Sequence, residues 1–237
     1  MVKADLHIHT VLSPCGDIEM TPAFIVRRAK EAGFGVIAIT DHNSTRQCPV
    51  AVEIGRREGV CVVCGAEITT REEAHVVALV DGEQARERLQ GYLDEHLIRI
   101  PNKPDIFGYQ LVVNEAEEVL YEEESLLIGA IDRSIDEIGE FVHSIGGIFF
   151  PAHIDKPANS VFSQLGFLPP GLAVDAVEIS AHCDPEKLLA EHPYLAKHNL
   201  IRSSDAHYPD DFGERYTQLD MEEMSFEALR EALHKKA

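Results

Sequence analysis

Apolar and polar positions alternate from the start of the chain. Residues 3–8 predict a strand with Leu6 and Ile8 on one face and His7 and His9 on the other, the two imidazoles at adjacent pleats about 7 Å apart. Thr21 and Pro22 predict a helix start, with Phe24, Ile25, Ala29 and Ala32 as its apolar stripe and Gly33 as its stop. The nearly continuous apolar run 35–40 predicts a strand covered on both faces, with Asp41 and His42 at its C-terminal end. A helix is expected at about 49–58. A strand over 60–67 ends in Glu67, and another over 75–80 opens with His75. The link between them, 69–73, is so short that a hairpin is expected, which breaks a pure βα repeat and brings Glu67 and His75 to one end of the sheet.

Residues 82–144 are rich in charge and read as a covering insertion. A helix is expected at about 83–98, ended by Pro101 and Pro104, and the acidic stretch 115–124 reads as a solvated helical face or acidic loop. Ser134 predicts a helix start, with Ile135, Ile138, Phe141 and Val142 along one side and Gly146 and Gly147 at its end. Strands are then expected over 148–152 ending in His153, over 174–180 ending near His182, and over 200–204 ending in Asp205 and His207. A helix at about 185–197 separates the last two. A short strand over 218–221 and a helix capped by Ser225 and running to about 235 complete the chain. About seven strands with intervening helices, and polar residues gathered at the strand ends, predict a single α/β domain over residues 1–237 built as a barrel.

Composition narrows the function classes. A formal net charge of −20 argues against a protein that tracks long nucleic acid, because such binding rests on Lys and Arg neutralising phosphates. It leaves room for a small phosphorylated substrate or an oligonucleotide end where metal ions supply positive charge. Five cysteines, an odd count with no secretory leader, predict reduced thiols rather than disulfides. Cys61 and Cys64 share a β-branched run in which residues three apart face opposite ways, so they read as small buried apolar groups. No stretch approaches the roughly 18–20 apolar residues of a membrane span, and we expect a soluble cytoplasmic protein. The sequence sets no oligomeric state.

Five apolar runs each deliver a histidine or carboxylate at one end, so strands of one sheet would converge these groups on one rim. In order, Asp5-Leu6-His7-Ile8-His9-Thr10, Thr40-Asp41-His42-Asn43, Gly65-Ala66-Glu67, His75, Pro151-Ala152-His153 and Ser204-Asp205-Ala206-His207 resemble the PHP (polymerase and histidinol phosphatase) family of metal-dependent phosphoesterases. The resemblance implies a distorted (βα)7 TIM-like barrel with a trinuclear metal centre at the C-terminal rim of the strands. It implies a first metal on His7, His9, Glu67 and Asp205, a second on Glu67, His75 and His153, and a third on His42, His207 and Asp17, with Cys15 the rival to Asp17. Two or three divalent ions are expected, and zinc, manganese or iron all suit such ligands. Asp5, Asp41 and Asn43 are expected to orient ligand imidazoles. His182 is a candidate to protonate a leaving group and Lys156 to pair with a second phosphate. His96, His143, His192, His198 and His234 are expected to be merely solvent-exposed. The expected activity is hydrolysis of a phosphomonoester of a small nucleotide or similar metabolite by a metal-bound hydroxide. The rival readings are an exonuclease on short RNA or DNA ends, a histidinol-phosphate phosphatase and a non-catalytic metal-binding sensor.

Overall fold

The computed structural model describes residues 1–234, so the expected last turn of the terminal helix at 235 lies outside the described residues. In chain order the elements are β1 (Val2–Ile8), α1 (Pro22–Glu31), β2 (Val36–Ile39), α2 (Cys48–Glu58), β3 (Cys61–Thr69), β4 (His75–Val80) and α3 (Gly82–His96). They continue as α4 (Pro104–Phe107), β5 (Leu111–Val113), β6 (Val119–Glu122), α5 (Ile135–Ser144), β7 (Ile148–Pro151) and α6 (Val161–Leu165). The chain closes with β8 (Val177–Glu178), α7 (Pro185–Glu191), a 3-10 turn (Pro193–Lys197), β9 (Leu200–Ile201), β10 (Thr217–Leu219) and α8 (Phe226–His234). Among these residues no helix is long and apolar enough to cross a membrane.

Six strands form one curled sheet in the order β10-β1-β2-β3-β4-β7. β1, β2 and β3 run parallel, whereas β4 returns antiparallel from β3 through the short turn, pairing Thr69 with His75 and Glu67 with Val77. Gly65 permits this pairing, since a Cβ there would lie 2.6 Å from the Ala78 carbonyl oxygen. β8 and β9 form a separate parallel pair. Backbone bonds from Asp175 N to Phe149 O and from Ile154 N to Glu178 O join that pair to β7, and bonds from Asp205 N to His7 O and from His9 N to Ala206 O join it to β1. The sheet thus curls round on itself as a distorted barrel.

Alternation within each strand sorts the core into two layers. Ile37 and Ile39 pack outward with Ile25, Val26 and Ala29 of α1 and Ala51 and Ile54 of α2, while Val36 and Ala38 join Leu6, Val77, Leu79 and Phe150 inside. Phe226, Leu229 and Leu233 of α8 belong to the inner cluster. Cys61 and Cys64 fall in different clusters, as residues three apart on a strand must.

Several local expectations need correction. Ala32 is exposed and Phe24 only half-buried; Val26 completes the buried face of α1 instead. The helix expected over 185–197 breaks at Pro193, which lacks the amide an α-helix needs there, into α7 and a 3-10 turn. The acidic stretch is neither helix nor simple loop, because β5 and β6 pair as a hairpin with β6 fully exposed. The strands expected over 174–180 and 200–204 pair as ladders over only two residues each. His96 is buried and ion-paired with Asp132 at 3.0 Å, and His143 and His234 both reach Asp175, at 3.0 and 2.6 Å.

Candidate metal centre

Glu67 stands near the end of β3, fully buried, with five imidazoles around its carboxylate. Oε1 lies 2.7 Å from His75 Nδ1, 3.0 Å from His153 Nε2 and 3.3 Å from His7 Nε2, while Oε2 lies 3.0 Å from His42 Nδ1 and 3.3 Å from His9 Nε2. The fold explains the convergence. β1, β2 and β7 run the same way as β3 and end at the same rim, and β4, running the opposite way, contributes its first residue, His75. Asp205 approaches from the far side of the ring, with Oδ1 3.5 Å from His7 Nε2 and 3.4 Å from His9 Nε2, and His207 stacks on His9 at 4.0 Å between ring centroids.

Backbone conformation helps turn these groups inward. The register of β1 against β2 slips between Asp5 and Ile8, beside His7. His153 and Asp205 have φ of 28° and 51°, left-handed conformations that cost on the order of 1–3 kcal/mol outside glycine and that concentrate at functional sites.

The donor set fits divalent ions on a hydrogen-bond argument. His7 Nδ1 lies 3.0 Å from Glu178 Oε2, which as a carboxylate can only accept, so that nitrogen carries a proton and Nε2 is the atom free to take a metal ion or a second proton. His9 Nδ1 is paired with Ser13 Oγ at 2.9 Å; Ser13 in turn donates to Asp41 Oδ1 at 2.7 Å, leaving its oxygen to accept from His9. The two Nε2 atoms are then 3.2 Å apart with a carboxylate beyond, and a metal ion that displaces any proton between them satisfies both. Among the described residues, three overlapping sets place their donor atoms within 4.8 Å of one another: His7, His9 and Glu67; His42, Glu67 and His75; and His9, His42 and His207.

Electrostatics divide the imidazoles. Burial opposes a charge on His7, but Glu178, Glu67 and Asp205 overcome it and raise its pKa well above the ordinary value. Burial and the neighbouring His9 push His42 down to about 4 and His207 to about 3. Burial lifts Asp5 to about 7 and, with Glu67 and Asp205 near, Cys15 to about 12.

The remaining candidates fall in different places. Asp41 anchors the loop after β1 by accepting from Thr10 N, Thr10 Oγ1 and Ser13 Oγ, and reaches His9 through Ser13. Asp5 accepts from Ser204 N, and Asn43 donates to the carbonyls of Leu127 and Gly129; neither is bonded to a ligand imidazole. Asp17 does not join the three sets: its Oδ1 accepts from Glu19 N, while its own amide donates to His207 O. Lys156 pairs with Asp205 Oδ2, and with the exposed His182 it lines a hollow of about 490 Å³ that opens onto His153 and Asp205. Glu178 is the group that sequence reasoning missed. It is buried in β8 and accepts from both His7 Nδ1 and the His153 amide, and its one signal was a lone charge between Val177 and Ile179.

A segment of 79 residues is 42% identical to an uncharacterised protein of Methanocaldococcus jannaschii, covering 30% of this chain and 46% of that protein. A segment of 78 residues is 41% identical to the 5′-3′ exoribonuclease Rnm of Salmonella typhimurium, covering 32% of this chain and 26% of the exoribonuclease. The lesion-specific endonuclease PfuEndoQ from Pyrococcus furiosus superposes over 98% of this chain with a TM-score of 0.70 at 18% identity, a likeness of fold that takes in 56% of that protein. These matches thus span about half or less of the relatives' own length. The PHP domain family matches residues 5–235, so the chain belongs to that family of metal-dependent hydrolases.

Proposed function

We propose that this centre hydrolyses a phosphomonoester of a small nucleotide. The observation that carries the reading is the pair of Nε2 atoms of His7 and His9, 3.2 Å apart and facing Glu67 and Asp205. His7, His9, Glu67 and Asp205 would hold one ion and Glu67, His75 and His153 a second. His42 and His207 would hold a third, with Asp17 or Cys15 completing its set. Divalent ions in such a site acidify a water toward neutrality and offset charge on phosphate oxygens.

The chain's own residues supply the rest. Lys156 places a cation in the 490 Å³ hollow beside Asp205, where it would meet a phosphate. His182, which lines the same hollow, would protonate a departing alkoxide. Glu178 and Ser13 keep the His7 and His9 tautomers fixed, which holds both Nε2 lone pairs toward the centre. Of residues 82–144, α3 and α5 pack their buried faces into the core, and the stretch between them borders this rim, where the Leu127 and Gly129 carbonyls accept from Asn43.

A second reading, removal of nucleotides from RNA ends, draws on the segment 41% identical to the exoribonuclease. One experiment separates the two. Protein stripped of metal and reloaded with manganese, zinc or iron is offered nucleoside mono- and bisphosphates, histidinol phosphate and short oligonucleotides, beside a His9→Ala control. We expect phosphate release from a nucleotide that vanishes in the control. Mononucleotide release from oligonucleotides alone would favour the exonuclease, and stoichiometric metal binding with no turnover of any substrate would overturn both.

A further inference from the structure

A second hollow, of about 440 Å³, lies on the side of the centre bounded by the loop after β1. It is lined by Pro14, Cys15 and Asp17, by Ile106 and Phe107 of α4 and Tyr109 just after it, and by Tyr208 next to His207. Its apolar walls face solvent: Ile106, Tyr109 and Tyr208 are 68%, 58% and 55% exposed. The wall is built into the fold. The Gly108 backbone presses on the β1 loop so closely that a Cβ there would lie 2.0 Å from Pro14 O, at a φ of 96° that itself favours glycine. Leu111 N donates to Val11 O at 3.2 Å.

Resting on the phosphoesterase reading above, we propose that this hollow receives the unpaired nucleobase of the substrate, stacked against the aromatic rings of Phe107, Tyr109 and Tyr208. Two observations select a base over a second phosphate. The only charged lining residue is Asp17, which repels an anion, whereas the hollow that opens onto His153 and Asp205 holds Lys156. Flat, exposed aromatic rings beside a phosphoester centre offer a π-face to any base, and such stacking is sequence-tolerant. A nucleotide would thus lie across the centre, its phosphate toward Lys156 and its base toward Tyr109.

The test compares a nucleoside 5′-monophosphate with ribose 5-phosphate, the same ester without a base, in the wild-type protein and in Tyr109→Ala and Phe107→Ala. Both side chains are exposed, so their loss leaves the fold intact. We expect each variant to raise KM for the nucleotide about 10-fold, with KM for ribose 5-phosphate and kcat for both unchanged. Equal changes for the two esters, or none, would overturn the proposal. Saturation-transfer NMR of adenosine and cytidine on metal-free protein gives a readout independent of turnover. Ring signals that are present in the wild type and lost in Tyr109→Ala support the hollow even if neither ester is hydrolysed, which would count against the phosphoesterase reading alone. No nucleoside signal in the wild type would overturn the base site.

Discussion

Glu67 gathers five imidazoles on one side chain, whereas Glu178 stands behind two of them, accepting from His7 Nδ1 and from the His153 amide. The two carboxylates should therefore differ in what their loss does. Glu178→Gln keeps the shape but can present an N–H where His7 now donates, and we expect metal affinity and turnover to fall about 10- to 100-fold with the fold retained. Glu67→Gln should exceed that and lower the number of ions per chain, read by elemental analysis of dialysed protein. The rim residues were legible because each stands at one end of an apolar run, His75 at the start of its run and the others at or just past the close of theirs. Glu178 was not, because a charge inside an apolar run announces burial without naming its partner. Asp17 shows the opposite limit: the family resemblance puts it at the third ion, whereas its Oδ1 accepts from the Glu19 amide.

Among the elements, those with local stop and start chemistry were legible. Thr21 accepts from Phe24 N at the start of α1, and Ser134 forms a full capping box with Glu137 at the start of α5. The β3–β4 hairpin followed from the length of its turn. β8 and β9 were overextended because their apolar runs continue past the two residues that pair, and only tertiary contact decides where a ladder stops. Asp175, just before β8, ties three elements: it accepts from His143 of α5, His234 of α8 and the Phe149 amide of β7. Burial raises its pKa, but these bonds outweigh it and leave the carboxyl below its ordinary 3.8. A depressed carboxyl adds stability that is present above the unfolded value and lost as pH falls through the folded one. Asp175→Asn should therefore cost about 1–3 kcal/mol at pH 7 by urea unfolding, with the gap narrowing below pH 3.8.

At the scale of the whole molecule, the barrel was legible from the order of apolar runs, and its closure was not, since that rests on single backbone bonds rather than a ladder. A protein whose rim holds several ions should gain stability from them by mass action. At a free metal concentration 100 times Kd the gain is about 2.7 kcal/mol, a rise in Tm on the order of 5–10 °C. Differential scanning fluorimetry with manganese or zinc should show that rise, and His9→Ala, which removes a ligand of one ion, should diminish it. The ring of strands is hooped rather than welded. On one margin β8 meets β7 through Ile154 N and Asp175 N, and on the other the chain after β9 meets β1 through Asp205 N and His9 N. His153 sits beside the first margin and Asp205 on the second, so ions held by both would act as a rivet through the hoop. The amide protons of Ile154, Asp205 and His9 should exchange with solvent ahead of the β2–β3 ladder in metal-free protein and slow selectively on loading, so that the centre fastens the barrel that built it.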